Sequence, residues 1–228
     1  MGLGLSASVR VEVVKQVLNV TADKTTVVRG DDIKFSGTTV PDQIVCIYAS
    51  EDDVFKLGDE FVATEADLDD GVCQSTSQVK ADGDGVLEFE LSVDVDADTG
   101  VYYLYLVAPE NVSNVDRTTD VQKMISIAVK DPSIVDVIIP SKLPYNGETD
   151  VTVVTEPGDY TKAAIGYVLE GPNVKVEKDA DADLLPVEAN NNVTFTLDLE
   201  SLADEETIDA FEPGIYVLTV KFFLDGEE

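Results

Sequence analysis

The apolar residues of this chain recur with a period of two, the period of strands. Short runs alternate branched apolar with polar side chains, and turn-forming residues break them about every 8–12 residues, the spacing of all-β sandwiches. Residues 8–14 place Val9, Val11 and Val13 on one face. Further strands are predicted at 18–21, 25–28, 32–36, 45–49, 85–91, 101–107 and 124–129. The second half gives 134–139, 149–155, 163–170, 192–199 and 215–224, separated by breakers such as Glu156-Pro157-Gly158 and Gly171-Pro172-Asn173. One helical turn is predicted near Leu202-Ala203-Asp204-Glu205-Glu206. The acidic loop 51–78 is long enough for a short strand or helix. Asp82-Gly83-Asp84-Gly85 reads as a hairpin turn.

An internal repeat divides the chain. Thr99-Gly100-Val101-Tyr102-Tyr103-Leu104-Tyr105-Leu106 parallels Pro213-Gly214-Ile215-Tyr216-Val217-Leu218-Thr219-Val220. Both set a Tyr two residues after a turn Gly at the head of a strong strand. In immunoglobulin-like folds such a Tyr bonds back to nearby backbone, forming a tyrosine corner. The expected organisation is therefore an N-terminal strand segment (1–17), one immunoglobulin-like sandwich (18–130) and a second (131–228). The repeat has an offset register. The first sandwich ends with a strand at 124–129, while the second is predicted to lack that last strand. Residues 8–14 precede the first sandwich as 124–129 precede the second. Three accounts fit: a segment of a longer array out of register with its domains, a first strand that completes the second sandwich of another copy by donor-strand complementation, or a six-stranded second sandwich that needs no partner.

Charge limits the partners. Of 228 residues 46 are acidic, 15 basic and none His, a formal net charge of -31. Residues 18–130 hold 23 acids and 8 bases, and residues 131–228 hold 22 and 5. Residues 1–17, with Arg10, Glu12 and Lys15, carry a net +1. Acid is thus spread over both sandwiches rather than gathered in a tail. Such a polyanion is repelled by nucleic acid and by anionic lipid, so neither is an expected partner. Without His, neither a Ser-His-Asp triad nor an imidazole zinc site is possible. No apolar run approaches the ~18 residues of a membrane span. Acid pairs suited to a glycosidase are unavoidable at this acid content and carry no specificity.

Val17-Leu18-Asn19-Val20-Thr21-Ala22-Asp23-Lys24-Thr25-Thr26-Val27-Val28-Arg29-Gly30-Asp31-Asp32, with Phe35-Ser36-Gly37-Thr38-Thr39 and Gly100-Val101-Tyr102-Tyr103-Leu104-Tyr105-Leu106-Val107-Ala108-Pro109, resembles the tandem immunoglobulin-like domains of archaeal surface-layer glycoproteins, particularly those of methanogens. The resemblance covers most of 17–130 and is weaker beyond. It implies a secreted, acidic, often glycosylated component of a two-dimensional lattice on the cell surface.

Under that reading the sequons at Asn19, Asn111 and Asn192 become candidate glycosylation sites. Cys46 and Cys73 become a disulfide tying the 51–78 loop to the strand before it, the alternative being two buried free thiols. Asp94, Asp96 and Asp98 stand two residues apart before Gly100. In a loop they could converge on calcium or another divalent cation; in an extended strand they form its wet face. Asp179, Asp181 and Asp183 repeat the spacing without the Gly. The expected function is a structural, non-enzymatic one: self-association into a porous extracellular lattice, with cations between facing carboxylates. The alternative is an adhesin or pilus-like filament subunit joined by strand donation.

Overall fold

The computed structural model describes residues 17–143, 147–158, 163–180, 183–188, 190–205 and 211–224. The strand expected at 8–14 lies outside them. The protein is all-β: two tandem immunoglobulin-like sandwiches built from eighteen described strands and two short helices. Its backbone clusters into two units. One holds the described residues up to Thr25 with Ile33–Ser92 and Val101–Ile127; the other holds Thr26–Asp32, Val93–Gly100 and the residues from Ala128 onward.

The first sandwich comprises β1 (Asn19–Ala22), β2 (Thr26–Val28), β3 (Asp32–Thr38), β4 (Ile44–Ala49), β5 (Phe55–Leu57), β6 (Glu60–Phe61), β7 (Ala63–Thr64), α1 (Glu65–Asp69), β8 (Gln78–Lys80), β9 (Val86–Val93), β10 (Gly100–Ala108) and β11 (Val121–Lys130). One sheet runs β1-β3-β9-β5-β6; the other runs β2-β11-β10-β4-β7, with β8 also on β4. Alternation puts Val20, Ile33, Phe35, Leu87 and Leu91 of the first sheet inside. From the second sheet come Ile47, Leu104, Leu106 and Ile127, all fully buried. Phe35 and Phe89 stack at 4.8 Å between centroids.

The run Ile44–Ala49 is apolar without alternation because both of its faces are covered. Cys46 and Tyr48 face away from the main core, into a second cluster with Ala63, Leu68, Val107 and Val115. The cover is the 51–78 segment, which carries β5, β6, β7, α1 and a 3-10 turn at Ser75–Ser77. Residues 82–85 are not a hairpin: β8 belongs to one sheet and β9 to the other, so the turn crosses between layers. Asp82 shapes it by accepting the amides of Asp84 at 2.9 Å and Val86 at 2.8 Å.

The second sandwich comprises β12 (Ser133–Ile138), β13 (Glu148–Glu156), β14 (Ala164–Glu170), β15 (Lys175–Lys178), β16 (Leu185–Pro186), β17 (Asn192–Asp198), α2 (Leu199–Glu205) and β18 (Val217–Phe223). One sheet is β12-β13-β17; the other centres on β14, which pairs with β15, β16 and β18. All of these pairings are antiparallel. Val151, Val153, Ile165, Leu169, Val176, Val193 and Leu197 form the core with Phe211 and Leu202. The predicted helical turn is present as α2. Asp198 starts it, accepting the amides of Glu200 at 3.0 Å and Ser201 at 3.2 Å.

Candidate functional site: an open cleft in the second sandwich

Tyr216 marks where the second sandwich begins its last described strand. Its hydroxyl donates to the Glu212 carbonyl four residues upstream at 2.9 Å, and lies 2.9 Å from Asn173 Oδ1. This is a tyrosine corner. Its tight fit explains two glycines: a Cβ on Gly171 would collide with the Tyr216 ring, and one on Gly214 would come 2.6 Å from Pro172 Cγ. Burial pushes the Tyr216 phenol pKa above its ordinary value.

Beside the corner lies an open cleft of about 670 Å³. Leu169, Leu197, Phe211 and Leu218 form its apolar floor. Residues 139–143 and 212–216 also line it. Lys142 and Glu212 supply charge at the rim. Ile215, also on the lining, is 87% exposed.

Aligning Tyr102 with Tyr216 matches Leu104 to Leu218 and Leu106 to Val220. Leu104 and Leu106 are fully buried, because β10 has β4 on one side and β11 on the other. Leu218 and Val220 are partly buried and pack against the core of the second sandwich. Among the described residues β18 pairs with β14, and no strand stands where β11 stands beside β10.

The residues singled out from sequence fall elsewhere. Cys46 and Cys73 are joined in a disulfide with a Cα separation of 5.8 Å. The bond fastens the 51–78 segment over β4, and the Tyr48 hydroxyl donates to the Val72 carbonyl beside it at 2.9 Å. Burial, then the charges of Asp67 and Asp120, push the Tyr48 pKa up to about 12. Arg117, between β10 and β11, bonds Glu65 and Asp69 of that segment and lies over the Tyr105 ring at 5.0 Å. Sequence reading missed this cluster because its members are far apart in the chain.

Asp94, Asp96 and Asp98 occupy a turn after β9. Asp94 is buried and its carboxylate accepts the Asp96 amide at 2.9 Å, whereas Asp96 and Asp98 are exposed. Among the described residues no three acidic or thiol side chains converge closely enough to hold a metal ion, these three included. Asp179 bonds Lys221 Nζ at 2.6 Å, and Asp181 lies outside the described residues. Asn19 is exposed on β1 and Asn192 is half-buried at the head of β17. Asn111 is exposed in a turn, its Oδ1 accepting the Ser113 amide at 2.9 Å.

No described protein family matches the chain. It is 42% identical over 225 residues to a protein of Archaeoglobus fulgidus known as an uncharacterized protein, an alignment that covers 96% of this chain. The chain spans about a fifth (21%) of that relative's length. Among solved structures it is similar to native Escherichia coli α2-macroglobulin, with TM-score 0.30, 12% identity, and coverage of 80% of this chain and 12% of that one. A marsupial T cell receptor gives TM-score 0.27 at 9% identity, covering 93% and 72%. Methylamine-reacted Salmonella α2-macroglobulin gives 0.31 at 11%, covering 92% and 14%.

Proposed function

We propose that this chain is a structural segment of an acidic archaeal surface layer, a pair of rigid sandwiches that pack laterally into a porous coat. The observation that carries the reading is the even spread of acid over both halves, 23 acids against 8 bases in 18–130 and 22 against 5 in 131–228. A net charge of this size is far beyond the magnitude of roughly 2–8 that keeps a small domain soluble. It suits a surface bathed in cations, where counter-ions rather than protein bases neutralise facing carboxylates. Two further features support it. The Cys46–Cys73 disulfide is of the kind that persists in oxidising, extracellular surroundings. The archaeal relative is about five times longer than the matched segment, as expected for a multi-module surface protein.

In this function the sandwiches carry no chemistry of their own. Their rigidity comes from the two cores, and the disulfide keeps the 51–78 cover in place. Asn111, exposed on a turn, is the best placed of the three sequons to carry a glycan. Divalent cations act as diffuse bridges between chains. Negative-stain microscopy of the purified chain with and without millimolar calcium tests the reading: ordered sheets form with calcium and dissolve in chelator. Antiserum against the chain should also label the surface of intact cells that express it. Labelling confined to the cell interior would sink the proposal.

A further inference from the structure

We infer that the outer face of β10 and β11 is an association surface, on which a second copy of this chain packs face to face. The cover over β4 reaches Tyr105, which packs against the second cluster. Toward the start of β10 the sheet is uncovered. β10 turns Tyr102, Leu104 and Leu106 inward, so Val101 and Tyr103 point outward, 60% and 40% exposed. β11 turns Ile125, Ile127 and Val129 inward, leaving Met124 and Ser126 exposed on the outer side, Met124 at 57%. The two strands are hydrogen-bonded neighbours, so these residues share one face. The backbone beneath is fixed: the Tyr103 carbonyl accepts the Ser50 amide at 2.8 Å, and the Tyr103 amide donates to Ser50 Oγ at 3.1 Å. Exposed Tyr, Met and Val on a rigid sheet are the composition of a protein contact.

Charge decides the occupant. About one residue in five of the chain is Asp or Glu, yet the nine residues of β10 and the ten of β11 include neither. Other sheets differ. The opposite sheet of the first sandwich exposes Asp32 of β3 with Glu88 and Glu90 of β9. In the second sandwich Asp136 of β12 and Asp150 of β13 are exposed on one sheet, and Glu170 of β14 and Glu177 of β15 on the other. Copies that each carry a net charge of -31 repel wherever carboxylates face carboxylates, and least where two acid-free apolar faces meet. A cationic partner would be drawn to the acid elsewhere, whereas a partner with the chain's own charge is confined to this face. A patch that meets itself closes as a two-fold pair. Two strands of this length make a face about 30 Å by 10 Å. That is well short of the roughly 800 Å² per partner of a stable complex, so pairing is weak and needs high protein concentration. Glu51, Asp52 and Asp53 follow Ser50 and are exposed, so salt strengthens the contact by screening its rim. The pairing names one lateral contact of the proposed coat and rests on that reading for its role, but it requires no calcium.

Sedimentation equilibrium of the full chain, with chelator present and sodium chloride at about 0.1 and 1 M, tests it. A monomer–dimer equilibrium should appear and shift toward dimer in the higher salt. Met124→Glu should stay monomeric in both with unchanged circular dichroism, since Met124 lies outside either core. Val135→Glu, at a comparably exposed position (55%) of the second sandwich, should pair as wild type does. Peroxide gives a second readout on the unaltered chain: sulfoxide formation at Met124, measured against free methionine in the same solution, should slow as protein concentration rises. A monomer at every concentration in both salts would overturn the inference. So would association indifferent to Met124→Glu, association lost equally in Val135→Glu, dimers in which Met124 oxidises as fast as in the monomer, or pairing that requires calcium. Pairing that persists where calcium forms no sheets would uphold it and count against the surface-layer reading alone.

Discussion

Single residues decide how tightly the two sandwiches are closed. The Cys46–Cys73 bond spans 27 residues of sequence, and loop-closure entropy makes such a cross-link worth about 3–4 kcal/mol. Replacing both cysteines by Ser should lower the urea midpoint accordingly, with loss of protection from proteolysis concentrated in the 51–78 cover. Tyr48, under that cover, has its phenol pushed up to about 12 from 10.0. A raised folded-state value means that the neutral phenol stabilises the fold below pH 10, and that this stabilisation is lost as pH rises through about 12. Alkaline titration should show one Tyr ionising late, coincident with unfolding. In the second sandwich, Tyr216→Phe removes the hydroxyl bond to Glu212 and should cost about 1 kcal/mol. Gly171→Ala should cost more, roughly 1–3 kcal/mol, because the ring must leave its seat. Equilibrium unfolding of the two variants would give the reverse order if the corner were unimportant. The Tyr after a turn Gly was visible in the sequence, as was the pairing of two cysteines. The glycine that receives the ring was not, because Gly171 and Tyr216 meet only through folding.

At the scale of elements, alternation carries most of the information. Long strands with one buried face, such as β3, β9, β13 and β17, announce themselves through residues two apart. The short strands do not. β15 reads Lys-Val-Glu-Lys, and its one apolar residue, Val176, is fully buried because β14 pairs beside it. Its identity lies in the partner, not in its own four residues. The same holds for β5 to β8 in the cover segment. The turn at 82–85 is ambiguous for a related reason: the Asp-Gly pattern specifies a reversal but not whether the next strand stays in the same sheet. α1 offers a test of local capping. Asp67 Oδ2 accepts the Thr64 amide at 2.9 Å, the reach-back half of a capping box. That amide, then Gln74 and the Thr64 hydroxyl, hold its carboxyl below the usual range, outweighing its partial burial. A lowered folded-state value stabilises above the ordinary carboxylate pKa, and the contribution disappears as pH falls through the folded value. Asp67→Ala should therefore cost about 1 kcal/mol at neutral pH, and the difference from wild type should vanish in acid. Urea unfolding at the two pH values checks it; a difference that persisted in acid would mean that Asp67 acts through packing.

The whole molecule is governed by its charge of -31. Described ion pairs such as Arg29–Asp131 at 2.7 Å and Lys80–Asp42 at 2.7 Å are partly or largely exposed, and pairs of that kind contribute little. Repulsion among the remaining carboxylates therefore opposes both folding and association. Its range is set by the Debye length, about 10 Å at 0.1 M salt and about 3 Å at 1 M. Raising sodium chloride between those limits should raise the melting temperature of the chain, opposite to the response expected of a fold held by surface ion pairs. The valence of the cation separates two effects. If the divalent ion acts only as a diffuse bridge between chains, calcium should stabilise the isolated chain no more than sodium chloride of equal ionic strength. Lattice formation should depend on the divalent ion itself, since bridging needs one cation to face two chains. Thermal melts and light scattering on the same samples distinguish the two. A calcium-specific rise in melting temperature at low protein concentration, where no assembly occurs, would show that a single chain binds the ion and would replace diffuse bridging with a discrete site.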